Sequence, residues 1–151
     1  MRISTRGRYA LRAMVDLALH AGEGPVLRRD IASRQGISAD YVAHLFRQLR
    51  GAGLVTGVKG RGGGYTLTRD ATTISAGDIV QAVEGPIAVA NCVTPDGDFD
   101  CRRIEECAAR GVWQRVSQAM EKVLGEITLA DLRDEVQLQG TGLLTQDEEI
   151  E

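Results

Sequence analysis

The sequence predicts a mainly α fold: a winged helix-turn-helix with a two-stranded wing, followed by a long C-terminal dimerisation helix. Two observations support this prediction. Three amphipathic segments with helical spacing come first, and two short strands around a Gly-rich tip follow them. Three helices followed by a hairpin is the element order of a winged helix, whose third helix enters the major groove of DNA.

The first three helices are predicted from apolar spacing and from turn residues. Residues 5–21 repeat apolar side chains at a spacing of four, and residues 27–34 form a shorter second helix. Ser38 is a good N-cap for the third helix, which ends at a pair of glycines. A turn containing Gly36 separates the second helix from the third, so the pair predicts a helix-turn-helix.

The wing and the remaining helices are predicted from turns and caps. Residues 54–58 and 65–68 read as strands around the tip KGRGGG. Ser75 and Asp78 have the spacing of a capping box at the start of a fourth helix. A longer helix follows, and then a short helix with Thr128 as its cap.

Four regions result from this pattern. Residues 1–84 form the predicted DNA-binding domain, and residues 85–102 form a cysteine-bearing loop. Residues 103–136 form the dimerisation helix, predicted to end near residue 126, and the short helix after it. The Gln-, Gly- and Glu-rich tail 137–151 is predicted to be disordered.

Charge is distributed unevenly, although the net charge is only −3. Residues 1–70 contain 12 Lys and Arg against 5 Asp and Glu, whereas residues 71–151 contain 6 against 16. A basic half joined to an acidic half predicts that the first half meets a polyanion. No segment resembles a signal peptide or approaches about 18 consecutive apolar residues. We therefore expect a cytoplasmic protein without membrane contact.

The residues predicted to contact double-stranded DNA lie on the second helix, the third helix and the wing. The third helix presents His44 and Arg47 opposite its apolar stripe, where both can donate to base edges or phosphates. Ala39 and Ala43 are small, so they allow this helix to approach DNA closely. The Gly-rich wing tip can reach a minor groove or phosphates. The predicted set is Arg28, Arg29, Ser38, Ala39, Tyr41, Ala43, His44, Arg47, Lys59 and Arg61.

Two of these features have simpler interpretations. His44 can be an ordinary exposed histidine. The tip VKGRGGGYTL has the composition of a phosphate-binding loop, but no helix follows it and it lacks the Gly-Lys-Ser/Thr of a P-loop. Its glycines are therefore interpreted as the turn of the hairpin.

All three cysteines lie in CVTPDGDFDCRRIEEC, residues 92–107. They can be inert, or they can bind zinc, although the paired Cys-x2–4-Cys spacing of zinc sites is absent. They can form a thiol–disulfide sensor, in which Cys101 or Cys107 attacks Cys92. They can also hold an iron–sulfur cluster, which favours thiolate ligands. A proline and a glycine within the loop allow it to fold back on itself.

Three segments of the chain resemble the IscR-like family of iron–sulfur cluster regulators. They are MRISTRGRYALRAMVDLALHA, IASRQGISADYVAHLFRQLRGAGLV and VKGRGGGYTL. The similarity runs from residue 1 to about residue 135 and includes the three cysteines, Trp113 and the segment ITLADL at 127–132. The resemblance implies a homodimeric bacterial transcription regulator with a winged helix and a long dimerisation helix. Many such regulators sense iron–sulfur status, nitric oxide or redox state.

The resemblance also implies that Cys92, Cys101 and Cys107 hold an iron–sulfur cluster, with a 2Fe–2S form favoured over a 4Fe–4S form. Members of the family place a histidine three residues after the third cysteine, where this chain has Arg110. Some relatives use a carboxylate of the partner subunit at the position that Arg8 occupies here. A guanidinium has no lone pair for iron. The fourth ligand is therefore an Asp or Glu, another residue of the partner subunit, or a small molecule.

The sequence thus predicts a homodimeric DNA-binding regulator, not an enzyme, whose operator binding is modulated by the cluster. The predicted dimer contacts are Val112, Val116, Ala119 and Val123. A cluster-free regulator that senses oxidants by disulfide formation is the alternative. A small thiol oxidoreductase is a second alternative, weakly supported because the chain has no Cys-x-x-Cys and no histidine near its cysteines.

Overall fold

The computed structural model describes residues 2–96 and 99–148 of the 151-residue chain. Its described part is mainly helical, with one two-stranded antiparallel sheet. The elements are α1 (Thr5–His20), α2 (Arg28–Gln35), α3 (Ala39–Gly51), β1 (Val55–Val58), β2 (Gly64–Leu67), α4 (Ala76–Glu84), α5 (Ala108–Glu126) and α6 (Leu129–Glu148). Helices α1 to α3 followed by the hairpin confirm the predicted winged helix-turn-helix.

The hydrophobic core forms around α1. Met14 and Leu17 of this helix are fully buried, as are Phe46 of α3, Ile79 of α4 and Leu129 of α6. Burying one large apolar side chain stabilises the fold by about 1.5–3 kcal/mol. These contacts therefore hold α3, which is the predicted DNA-recognition helix, in a fixed orientation relative to α1 and α4.

A buried carboxylate ties α1 to α2. Asp16 is only 3% exposed. Arg34 donates to both of its oxygens, most closely from Nη2 to Oδ1 at 2.7 Å and from Nε to Oδ2 at 2.9 Å. Gln35 adds a further hydrogen bond, from Nε2 to Oδ2 at 2.9 Å. The hydrogen bond to Asp16 raises the pKa of the Arg34 guanidinium, which therefore stays charged. Because a buried charge is stable only when paired, this network orients α2.

The N-terminus of α1 is capped from the far end of α4. Ser4 is the N-cap of α1, and its hydroxyl donates to Oε1 of Glu84. The same Oε1 accepts hydrogen bonds from the backbone N–H groups of Ser4 at 2.9 Å and Gly7 at 3.1 Å. A Cβ atom on Gly7 would overlap this oxygen, so the close approach requires glycine. The carboxylate satisfies first-turn N–H groups that a helix leaves unpaired.

The turn between α2 and α3 has the predicted chemistry. Gly36 adopts a left-handed conformation (φ 67°), and its N–H donates to the carbonyl of Ala32. The hydroxyl of Ser38 accepts a hydrogen bond from the N–H of Tyr41 at 3.0 Å, which caps α3. Both features confirm the helix-turn-helix predicted from the sequence.

The wing pairs β1 with β2 in antiparallel register, with Val55 opposite Leu67 and Val58 opposite Gly64. The segment before α2 adds a further pair of backbone hydrogen bonds to this sheet. The N–H of Val26 donates to the carbonyl of Tyr65 at 2.9 Å, and the reverse bond measures 2.8 Å. A Cβ on Gly64 would overlap the Val26 carbonyl, so glycine allows this approach. The wing is thereby attached to the start of α2.

The capping box at α4 is confirmed, because the side chains of Ser75 and Asp78 each accept a hydrogen bond from the backbone N–H of the other residue. The start of α5 differs from the prediction. This helix begins at Ala108, not at residue 103. Residues 101–106 instead form turns, and Cys107 has an extended backbone (φ −86°, ψ 104°) that interrupts any earlier helical path. The irregular segment therefore extends to Cys107 and not to residue 102.

The last helix is longer than predicted. The cap at Thr128 is present, since its hydroxyl accepts the N–H of Asp131 at 3.0 Å. However, α6 runs for 20 residues to Glu148, through much of the tail that its composition predicted to be disordered. Six of the residues 137–148 are Gln or Leu, which favour helix, and none is proline. Residues 149–151 of the predicted tail lie outside the described residues.

Among the helices described here, none is both long enough and apolar enough to cross a membrane.

Candidate nucleic-acid interface and cysteine segment

The third helix separates a buried face from an exposed one. Its buried stripe is Val42, Leu45, Phe46 and Leu49. His44 and Arg47 are exposed, as is the capping Ser38, while Ala39, Tyr41 and Ala43 are half-buried. The predicted reading residues therefore lie away from the core stripe, where a DNA groove can reach them.

Aromatic contacts hold this surface in place. The ring of Tyr41 stacks on the imidazole of His44, with centroids 6.5 Å apart and planes at 22°. The same tyrosine meets Tyr9 of α1 edge-on, with centroids 6.0 Å apart. The guanidinium of Arg12 lies 4.9 Å from the centre of the Tyr9 ring. His44 is thus positioned by packing through Tyr41 to α1.

The basic residues outside α3 are also accessible. Arg28 and Arg29 occupy the first turn of α2, and both are exposed. Lys59 and Arg61 are exposed on the wing tip. A weak contact of 3.9 Å joins Arg29 to Asp30. These four cations are therefore available to an anionic partner on the side of the wing and α2.

The structure brings several of these residues around two neighbouring cavities. Arg28 and Lys59 line a cavity of about 280 Å³. Ala43 and Arg47 line another, of about 500 Å³. Arg50, at the end of α3, lines both cavities and was not among the residues predicted from the sequence. Its position three residues after Arg47, on the same helix face, was the signal that could have identified it.

The three cysteines lie on different parts of one irregular segment. Cys92 is in a short 3-10 turn (Asn91–Val93), and Cys101 is in the turns before α5; both are half-buried. Cys107 is the exposed N-cap of α5. All three are free thiols. The segment is attached to α5 by a hydrogen bond from Nε of Arg110 to the carbonyl oxygen of Cys92, at 3.2 Å.

The donor set fits an iron–sulfur cluster in its chemistry, because three thiols lie within 16 residues of one segment. The conformation does not group them. Among the side chains that the structure describes, within residues 2–96 and 99–140, no three His, Cys, Asp or Glu are placed to hold a metal ion. Arg110 follows Cys107 by one helical turn and donates to protein backbone, so it supplies no ligand. The three-cysteine site therefore stays a prediction that requires the segment to close.

The long helix α5 exposes an apolar face. Of its 19 residues only Ser117 is buried, and the hydroxyl of Ser117 accepts the N–H of Val89 at 3.1 Å. Val112 is 51% exposed and Val123 is 56% exposed. Between them on the same face lie Val116, which is half-buried, and the exposed Ala119. A helix with an uncovered apolar stripe of this length is suited to packing against another helix.

Comparisons with known proteins agree with this architecture. The chain is 42% identical over 132 residues to the HTH-type transcriptional regulator IscR of Yersinia enterocolitica, covering 87% of this chain and 79% of that protein. The solved structure of T. potens IscR is 40% identical with a TM-score of 0.72, covering 90% of this chain and 88% of that one. CymR, the global cysteine regulator of B. subtilis, is 38% identical with a TM-score of 0.74, covering 89% and 98%.

These relatives are transcriptional regulators and not enzymes, which argues against the thiol oxidoreductase. Their fold confirms the winged-helix prediction, and their function confirms the prediction of a DNA-binding regulator. The model of the Rrf2 family, described as an iron-dependent transcriptional regulator, matches residues 3–135. The chain belongs to the Rrf2 family of transcriptional regulators.

Proposed function

We propose that this regulator is a cytoplasmic homodimer whose affinity for its DNA operator depends on an iron–sulfur cluster held by Cys92, Cys101 and Cys107. The observation that carries the proposal is the position of the three thiols. They occupy the one segment that connects the DNA-binding domain to α5, and Cys107 immediately precedes α5. The description of the Rrf2 family as iron-dependent supports the same chemistry.

On the DNA side, α3 lies in a major groove and the wing contacts the backbone or a minor groove. His44 and Arg47 donate to base edges or phosphates, while the half-buried Ala39 and Ala43 leave room for the bases. Lys59 and Arg61 extend the contact from the wing tip. The contacts from Tyr9 through Tyr41 to His44 keep the surface that reads DNA rigid before DNA binds.

On the dimer side, the apolar stripe Val112, Val116, Ala119 and Val123 packs against the same stripe of a second copy. Each of these residues is exposed or half-buried in the single chain, so contact with a partner helix would remove apolar surface from water. A two-fold interface of this kind places the two α3 helices at a defined separation, which the operator half-sites must match.

The coupling between the two sides runs through the cysteine segment. A bound cluster would supply an oxidant-sensitive link between the three thiolates. Closing the segment brings Cys92 and Cys101 towards Cys107 at the N-terminus of α5. Arg110 holds the other end of the segment by its hydrogen bond to the carbonyl oxygen of Cys92. The geometry of α5 then sets the separation of the reading helices. A coupling free energy of about 1–3 kcal/mol is enough for such a switch. A 2Fe–2S cluster is favoured over 4Fe–4S, with the fourth ligand supplied by neither Arg110 nor Arg8.

A cluster-free thiol–disulfide regulator is the second candidate. The observation that favours it is that all three cysteines are free, with Cys107 exposed and none grouped for metal binding within the described residues. In that case a disulfide between Cys92 and one of the other two cysteines would close the same segment.

Operator affinity measured under three conditions separates these candidates. The operator is first selected from random double-stranded DNA, and its Kd is then measured by fluorescence anisotropy without oxygen. We expect cluster-loaded and iron-stripped protein, both kept reduced, to differ about 5- to 150-fold in Kd. Equal Kd values would contradict the cluster proposal. A change in Kd only when the iron-free protein is oxidised would favour the disulfide regulator.

A further inference from the structure

Three cationic residues line one cavity between the DNA-binding helices and the wing. The cavity, of about 280 Å³, is lined by Arg28 from the start of α2, Arg50 from the end of α3 and Lys59 from the wing. No Asp or Glu is among its lining residues. The guanidinium of Arg50 lies against β1, since a Cβ on Gly57 would be 3.8 Å from its Nη1.

None of these three side chains forms a hydrogen bond or ion pair with any residue that the structure describes. Other arginines of the fold have carboxylate partners, such as Arg34 with Asp16 and Arg69 with Asp78. Cationic side chains that line one cavity without a counter-charge favour the entry of an anion. The arrangement is therefore typical of an anion site.

The cavity is built on rigid elements. The paired backbone hydrogen bonds between Val26 and Tyr65, at 2.9 and 2.8 Å, fix the wing against the start of α2. Arg28 follows this pair by two residues, and Arg50 lies in the last turn of α3. The three cations thus approach the cavity from separate elements whose relative position is set by the fold and not by the ligand.

We propose that Arg28, Arg50 and Lys59 form one seat for a single backbone phosphate of double-stranded DNA. The proposal rests on the proposed placement of α3 and the wing on DNA, and it adds Arg50 as a contact. The shared phosphate joins the helix-turn-helix to the wing, because its contacts come from both. Two arginines offer planar donors that match phosphate oxygens, and the lysine adds a compact charge.

Salt dependence distinguishes one shared phosphate from three separate ones. The slope of log K against log salt is negative, and its magnitude decreases by about 0.9 for each phosphate that the protein no longer neutralises. In a dimer, the triple variant Arg28→Gln/Arg50→Gln/Lys59→Gln should reduce the magnitude of this slope by about 1.8 if each protomer binds one phosphate at this site. Three independent phosphates per protomer would instead lower it by about 5.4. Arg50→Gln alone should weaken operator binding roughly tenfold, and Arg50→Lys should recover part of that affinity.

The control is Arg133→Gln, which removes an equal charge from α6, where Arg133 pairs with Asp134. Circular dichroism melting of each variant checks that the fold is kept. Unchanged affinity for Arg50→Gln, or a slope lowered by about 5.4 in the triple variant, would overturn the shared seat. If Arg50→Gln binds normally while Lys59→Ala/Arg61→Ala binds weakly, the wing interface stands and only the seat is wrong. If neither variant weakens binding, the proposed DNA interface itself is wrong.

Discussion

Nε of Arg110 donates a hydrogen bond to the backbone carbonyl oxygen of Cys92 at 3.2 Å, across 18 residues of chain. The contact ties the first turn of α5 to the start of the cysteine segment. Arg110 occupies the position where the IscR-like pattern has a histidine. In this chain the residue at that position therefore holds the backbone carbonyl of Cys92 and offers no lone pair to a metal.

Replacing Arg110 by histidine should leave the cluster intact or make it more resistant to air. An imidazole one helical turn after Cys107 lies on the same helix face and can reach a metal that Cys107 binds. Arg110→Ala should instead shorten the lifetime of the cluster in air about tenfold, because the Cys92 end loses its tether. Decay of the visible absorption in air-saturated buffer measures both effects.

Arg103→Ala is the matched control, since it removes an exposed arginine from the same segment without a side-chain contact to Cys92. It should decay at the wild-type rate. Complete loss of the cluster in Arg110→His would show that the arginine supports the cluster directly, for example by pairing with its negative charge or with the true fourth ligand.

Val116→Asp should convert the dimer into monomer or insoluble protein. The substitution places an unpaired charge in the proposed α5 seam, where burial of a charge without a partner is costly. Sedimentation velocity over a concentration series should show the dimer dissociation constant rising at least about 100-fold. Gln118→Asp, exposed on the opposite side of α5, should remain dimeric. A stable dimer with Val116→Asp would exclude this face as the interface.

Replacing both Lys59 and Arg61 by alanine should weaken DNA binding and flatten its salt dependence. Each phosphate left without a cation reduces the magnitude of the slope by about 0.9. Because Arg28 and Arg50 would still hold the phosphate that Lys59 shares with them, only the phosphate bound by Arg61 is lost, and the magnitude of the dimer's slope should fall by about 1.8. Fluorescence anisotropy between 50 and 200 mM salt, roughly the range over which such contacts matter, measures the slope. Arg133→Ala serves as the charge control. Binding indistinguishable from wild type in the double variant would remove the wing tip from the interface.

Local sequence signals predicted much of the DNA-binding domain. Caps and turns act over three or four residues, so Ser38, Gly36 and the Ser75–Asp78 box could be recognised without knowledge of the fold. The wing strands were predicted to within one residue at each end for the same reason.

Features that depend on distant contacts could not be predicted this way. Glu84 caps α1 from 80 residues away, and no periodic pattern connects it with Ser4. The start of α5 was misplaced because the apolar spacing from Ile104 imitates a helix, whereas turns with hydrogen bonds from Ile104 to Cys101 form there. Lys59 joins Arg28 and Arg50 only because the Val26–Tyr65 pair brings the wing against α2.

Arg34→Ala should destabilise the fold by about 3 kcal/mol, because it leaves the buried carboxylate of Asp16 without its main partner. Urea denaturation measures the free energy of unfolding. Arg29→Ala is the control: its side chain is 81% exposed and its contact with Asp30 is 3.9 Å, so the change should stay below about 0.5 kcal/mol. Equal small effects from both substitutions would mean that the Asp16 network contributes little to stability.

The visible absorption spectrum of protein purified without oxygen, with iron and sulfide analysis of the same sample, tests the cluster-dependent account most directly. The account predicts a coloured protein with sulfur-to-iron charge-transfer bands. It also predicts that alanine at Cys92, Cys101 or Cys107 alone abolishes those bands, because too few thiolates remain. A colourless, iron-free protein after anaerobic reconstitution, or iron content unchanged when all three cysteines are alanine, would contradict it.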